Sequence, residues 1–212
     1  MGGIMMNTKQ KILLESLRLF SQRGYDAVSV EQIAAAVGIK APSLYKHYKS
    51  KQEIFDAIFE ETARRYEDFT DTISVHVTDS EQDVTVFEKI TADDLVQKVK
   101  SLIEYSLHDE YVSRFRRMMT IEQFRSPELS ELYSRRYVNQ IHNYHSGLFT
   151  KMIAAGVLAD EDPVILAMMY DAPILVMLGE CDRHPEKEEE YIKKLEAHVR
   201  LFYKTFNRNG KE

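Results

Sequence analysis

The stretch "SVEQIAAAVGIKAPSLYKHYKSKQEIF", Ser29 to Phe55, decides how the rest of the chain is read. It opens on Ser29-x-x-Gln32, a capping box in which each side chain satisfies a free backbone N–H of the other residue. Val30, Ile33, Ala34 and Val37 follow at i, i+3, i+4 and i+7, which predicts a short helix with one apolar face. Gly38 supplies the left-handed residue that ends it. The next segment, Ala41 to Tyr48, carries Pro42 in its first turn, where a missing N–H costs nothing. So short a helix does not persist alone in water, so Leu44 and Tyr48, four residues apart, must anchor it to its neighbours. Ser50-x-x-Glu53 is a second capping box, opening a long helix with Ile54, Phe55, Ile58, Phe59, Thr62, Tyr66 and Phe69 on one side.

Two short helices joined at Gly38 read as a helix-turn-helix. Ala34 is small where the helices must cross closely, and Ile39 is placed to plug the corner. Burial of Leu44 and Tyr48 turns Lys40, Ser43, Lys46 and His47 outward, a set of donors suited to base edges in a major groove. Tyr45, His47 and Lys51 suit phosphates, as do the free N–H groups at the amino ends of the helices beginning near Val30 and Lys51. The bland reading is plain packing with a solvated basic face. Charge placement argues against it. Residues 1 to 52 hold eight Lys and Arg against three acidic residues, whereas the remainder holds 20 basic against 31 acidic. A polyanion is drawn to one end of such a chain and repelled by the rest.

The periodicity is helical almost throughout the 212 residues, and no alternating run suggests a sheet. "TKQKILLESLRLFSQRG" starts at a Thr8 cap, turns Ile12, Leu13, Ser16, Leu19 and Phe20 inward and stops at Gly24. The polar stretch Ser74 to Asp94 reads as a loop or ragged helix end and as the domain boundary. Helices are expected over Ala92–Leu107, Glu110–Phe124, Pro127–Ala155, Asp162–Cys181 and Glu186–Phe206. The expected fold is therefore all-α, with about nine helices. Residues 1–52 form a helix-turn-helix domain, a helix links from 50 to about 74, and 75–212 form a larger body. Pro163 to Gly179 is the most apolar run, but Asp171 and Pro173 interrupt it and it falls short of the ~20 residues of a membrane span. A helix buried in a core or at a subunit interface fits better. With a single cysteine and no signal-peptide pattern at "MGGIMMNTKQ", the expected location is the cytoplasm, away from any membrane.

The segment "LFSQRGYDAVSVEQIAAAVGIKAPSLYKHYKSKQEIFDAI" resembles the DNA-binding domain of the TetR/AcrR family of bacterial transcriptional regulators. Phe20, Gly24, Ser29, Val30, Ile33, Ala34, Gly38, Leu44, Tyr45, His47, Tyr48, Lys51 and Ile54 carry the likeness, over roughly residues 8 to 60. The resemblance implies a homodimer paired through the helices 162–181 and 186–206, a double-stranded DNA operator and a small-molecule effector that releases a repressor. The expected DNA-binding residues are Ser29, Val30, Lys40, Ala41, Pro42, Ser43, Tyr45, Lys46, His47 and Lys51. The family's need for an effector cavity, read onto the Tyr-, Phe- and Met-rich stretch 102–178, nominates Tyr105, Phe115, Met118, Met119, Tyr137, His145, Met168 and Met169. This chain departs from the family in having Lys40 where Ser or Thr is common and Pro42 where a small residue is, so no relative's operator can be transferred to it.

Catalysis has no support. His142 and His145 are three apart on one helix, but no third ligand stands near them, so neither a metal nor another cofactor is expected. Cys181 adjoins Asp182, which disfavours a thiolate. Arg114, Arg116 and Arg117 could meet an anionic ligand, yet Glu110–Arg114, Glu131–Arg135, Glu189–Lys193 and Glu190–Lys194 read as ordinary i, i+4 pairs. The alternative function is a helical interaction module that binds no specific operator.

Overall fold

A computed structural model describes residues 6–76 and 80–208, apart from the side chain of Gln82. The described residues are helical with no strand; one isolated bridge joins Leu158 to Asn207. They divide into two compact units, Met1–Tyr66 with Asp109–Glu131, and Glu67–His108 with Leu132–Glu212. The stretch 109–131, which the sequence groups with the body, thus belongs to the N-terminal unit.

In the first unit, α1 spans Thr8–Arg23, α2 Val30–Val37 and α3 Ala41–Leu44. Helix α4 begins at Lys51 and runs to Thr72, and α7 covers Glu110–Glu122. The cap of α1 is Asn7 rather than Thr8: its side chain accepts from Gln10 N–H while Gln10 reaches back to Asn7 N–H. The Ser29–Gln32 box forms in full. At Ser50 only half of the expected box forms. Ser50 Oγ accepts Glu53 N–H at 3.0 Å, but the Glu53 carboxylate takes Lys49 N–H instead.

The core of this unit is Ile12, Leu17, Phe20, Ile33, Leu44, Tyr48, Ile54 and Ile58, closed by Phe115, Met118 and Met119 of α7. Edge-on and tilted rings link Phe20, Tyr25, Phe55 and Phe115 at centroid spacings of 5.1, 5.3 and 6.1 Å, a geometry that contributes beyond area burial. Asp109 caps α7 and pairs with Arg65 at 3.1 Å, and that guanidinium lies over the Tyr111 ring.

In the second unit, α5 spans Ser80–Phe87, α6 Ala92–His108, α8 Pro127–Tyr133, α9 Gln140–Ala154, α10 Pro163–Arg183 and α11 Glu188–Phe206. Only the end of α8, from Leu132, belongs to this unit; the earlier residues cluster with the first. A π-helical segment, Ser134–Asn139, joins α8 to α9, so the long helix expected over 127–155 is wound unevenly in its middle. Helix α5 lies inside the stretch expected to be a loop. Its polar look is misleading, because Phe87 and Asp83 are buried. The Asp83 carboxylate is met by the His76 ring at 2.6 Å and by the Tyr144 hydroxyl.

Phe149 stacks on Phe202 at the centre of this unit, Tyr170 packs edge-on or tilted against both, and Leu148, Leu166, Ala167 and Val199 surround them. Helix α10 runs through Pro173 without a break. It is long and apolar enough to cross a membrane, yet it carries the buried Asp171 near its middle.

Candidate nucleic-acid interface

The short segment after Gly38 is built as the sequence requires. Gly38 takes φ 79° and donates its N–H to the end of α2, a left-handed conformation that a Cβ would strain. The α-helical part of the next segment is only Ala41–Leu44, shorter than the expected Ala41 to Tyr48, with Lys40 at its cap. Beyond it the chain tightens through His47 N–H to Leu44 O at 2.8 Å and Tyr48 N–H to the same oxygen at 3.1 Å. Leu44 and Tyr48 are the buried residues of this segment, at 0% and 2% exposure. Burial pushes the Tyr48 phenol up to about 12, so this anchor stays neutral, and the Lys9 ammonium lies 5.3 Å from its ring centroid.

With those two anchors turned in, Lys40, Pro42, Tyr45, Lys46 and His47 face solvent, while Ala41 and Ser43 are half-buried. Among the described residues, Lys40, Lys46 and Lys49 have no acidic partner, so their charge is available to an anion. Ser29 is exposed, but its hydroxyl oxygen caps α2; Val30 is half-buried at the first turn.

Lys51 departs from the phosphate-binding role read for it. Its Nζ donates to Tyr25 O at 2.9 Å and Val28 O at 3.1 Å, and lies 4.2 Å from the Tyr25 ring centroid. It braces the loop between α1 and α2. Substituting Lys51→Met is therefore expected to lower stability by about 1–2 kcal/mol, because two carbonyls lose a charged donor at a half-exposed site. Urea unfolding checks this; an unchanged midpoint would return Lys51 to the phosphate-contact role.

A second brace of that loop escaped the sequence reading. Glu122, at 1% exposure, accepts Tyr25 N–H at 3.1 Å and pairs with Arg125 at 3.1 Å. Gly24 takes φ 88° against them, and an added Cβ would meet Arg125 Nη1 and Glu122 Oε1 at 2.5 and 2.6 Å. Ninety-seven residues separate Tyr25 from Glu122. No local pattern announces such a pair.

The nominated effector residues do not gather in one place. Phe115, Met118 and Met119 are fully buried in the first unit. Met168 and Met169 stand about half exposed on α10. Tyr105 stacks on Phe69 at 4.0 Å, and Tyr137 packs near Tyr133. Of the eight, His145 lines a cleft in the second unit, walled by Phe87, Ile90, Phe149, Met152 and Tyr170. Among the described residues no group of three potential ligands is placed to hold a metal ion. His142 and His145 instead both face Asp171. The Glu110–Arg114, Glu189–Lys193 and Glu190–Lys194 pairs form at 2.6–2.9 Å.

Residues 12–58, the span of α1 to α4 just described, match the family model for bacterial regulatory proteins of the tetR family. Over that segment the chain is similar to the DNA-binding domain of the tetR family. The chain is also 39% identical over 61 residues to IcaR of Staphylococcus epidermidis, named as the negative transcriptional regulator of the icaADBC biofilm operon. That match covers 29% of this chain and only 33% of IcaR. Solved structures resemble this chain over nearly its whole length. A putative TetR-family regulator from Mesorhizobium loti has a TM-score of 0.66 at 19% identity, over 94% of this chain and 96% of that one. The SmeT–triclosan complex has 0.68 at 22%, over 96% and 93%. Those identities establish the fold. TetR-family regulators are DNA-binding proteins and not enzymes.

Proposed function

We propose that this chain is a ligand-responsive transcriptional repressor that binds a near-palindromic operator as a homodimer in the cytoplasm and is released by a small molecule. The observation that carries the reading is the segment Lys40–His47. Two buried anchors hold it, and its unpaired cations and polar tips stand in solvent. Such a segment inserts into a major groove, with Lys46 and Ser43 toward base edges and Tyr45, His47 and Lys40 toward the backbone. Two copies would meet half-sites about 34–36 Å apart, or a multiple of that. IcaR's name as a negative regulator supports repression, and SmeT bound to triclosan supports a small-molecule effector.

Pairing of two copies is supported by the outer face of α10. Val164, Ile165, Met168, Met169 and Val176 are each about half exposed there, and Leu201 of α11 is 64% exposed. Their four-residue spacing makes an apolar stripe that water disfavours and a second copy would cover. Placing two carboxylates on that stripe, Met168→Glu with Val176→Glu, is expected to leave a folded monomer by sedimentation velocity. A dimer that survives both changes would move the interface elsewhere.

Release follows from differential affinity: the effector favours a conformer whose two reading segments are wrongly spaced. Helix α4 contributes residues to both compact units and is the lever in this scheme. The test is selection of bound duplexes from a random pool, repeated with candidate ligands. Recovery of a palindromic site supports the reading, whereas recovery of no sequence supports an interaction module instead.

A further inference from the structure

The loop between α1 and α2 sets where α2 begins, because Ser29 caps that helix and Val28 before it is buried. Tyr25 is the residue by which the loop is held. Its ring lies edge-on to Phe20 and Phe55, at 5.1 and 5.3 Å, and its hydroxyl donates to Gln52 Oε1 at 3.2 Å. Its carbonyl oxygen accepts Lys51 Nζ at 2.9 Å and Val28 N–H at 3.4 Å. Those partners all lie within residues 12–58, the span that the family model matches. Tyr25 N–H goes elsewhere. It donates to Glu122 Oε1 of α7 at 3.1 Å.

That contact is built for closeness. The Glu122 side chain is 1% exposed, so its carboxylate depends on donors, and Oε1 takes two, Tyr25 N–H and Arg125 Nη1. Gly24, at φ 88°, leaves no Cβ in the space that the carboxylate and the guanidinium occupy. Helix α7 is itself a fixed support. Phe115, Met118 and Met119 are fully buried along it, and Asp109 at its amino end pairs with Arg65 of α4. Glu122 and Tyr25 belong to the same compact unit.

We propose that Glu122 is a positioning residue for DNA recognition: by holding Tyr25 N–H it fixes the amino end of α2, and through α2 the segment Lys40–His47 that follows it. The proposal rests on the reading that this segment enters a major groove, and adds that a helix outside the helix-turn-helix sets its placement. Reach matters here more than charge. A carboxamide oxygen also accepts Tyr25 N–H, and water hydrates the half-exposed Arg125. Glu122→Gln therefore keeps the reach and loses the charge, whereas Glu122→Asp keeps the charge and retracts it by one methylene.

The full chain and both variants are titrated with a selected duplex and a scrambled one, at a temperature where circular dichroism shows all three folded. Glu122→Asp is expected to bind the selected duplex about tenfold more weakly, the effect of one lost buried hydrogen bond. Its affinity for the scrambled duplex and its salt slope stay unchanged, because no phosphate-contacting cation is removed. Glu122→Gln stays within about twofold of the parent on both duplexes, since the hydrogen bond survives. Hydrogen exchange at the Tyr25 amide, measured without DNA, speeds up in Glu122→Asp and not in Glu122→Gln. Parent-like affinity or an equally protected Tyr25 amide in Glu122→Asp would overturn the positioning role and leave the groove reading standing. So would an equal loss on both duplexes, which marks a merely structural residue, or a Glu122→Gln protein weaker than Glu122→Asp, which marks a role for charge. A parent that prefers no duplex sequence would overturn the groove reading, and the positioning role with it.

Discussion

Phe115→Ala is expected to lower the unfolding free energy by about 3–5 kcal/mol, the range for removing a fully buried aromatic ring. Phe115 has 0% exposure and sits 6.1 Å from the Phe55 ring and 5.8 Å from the Phe59 ring. Its loss opens a cavity where α7 closes the core of the first unit. The position was nominated for an effector pocket because it lies in a Tyr-, Phe- and Met-rich stretch, and the two roles predict different data. A core residue, when truncated, shifts the urea midpoint strongly and leaves small-molecule binding intact in the fraction that remains folded. A pocket residue does the reverse. Phe115→Leu, which refills part of the volume, should recover a good part of the loss.

Leu44→Ala should cost about 2–5 kcal/mol by the same cavity argument, but its larger consequence is functional. The segment from Lys40 to Lys49 is tied inward by Leu44 and Tyr48, and its α-helical part is only four residues long. It has no independent stability. Without Leu44 the detached state of the segment gains population, and duplex affinity falls about tenfold for every 1.4 kcal/mol by which detachment is favoured. Ser43→Ala, one position earlier and half-buried, is expected to leave the urea midpoint nearly unchanged. Its effect belongs to sequence preference. Hydrogen exchange along residues 40–49 and fluorescence anisotropy with a selected duplex separate the two outcomes.

How much of this was legible in the sequence depended on the distance over which each residue acts. The Ser29–Gln32 box, the Gly38 stop and the inward Leu44 and Tyr48 are local, and the all-helical fold follows from patterns of the same range. The position of Lys51 at a helix start suggests an anion site, whereas its side chain reaches back to carbonyls 26 and 23 residues away, a contact that no local pattern announces. Helix α5 was missed because Asp83 counts as polar in any periodicity, although here it is fully buried against His76 and Tyr144. Met168 and Met169 look like core from their apolar neighbours, and only the packing of α10 through Leu166, Ala167 and Tyr170 shows them turned outward. The Glu122–Tyr25 contact and the His145–Asp171 pair join segments far apart along the chain, so no spacing rule reaches them.

The most direct test is the salt dependence of duplex binding by the full chain and by Lys46→Ala, using a duplex recovered by selection. If the outward side of residues 40–47 enters DNA, affinity falls steeply and linearly on a log–log plot. Removing one phosphate-contacting cation would reduce that slope by about 1, whereas a base-reading Lys46 relaxes sequence choice instead; either result fits the account. No binding to any duplex near 50 mM salt, or a Lys46→Ala protein matching the parent in slope, affinity and sequence choice, would contradict it.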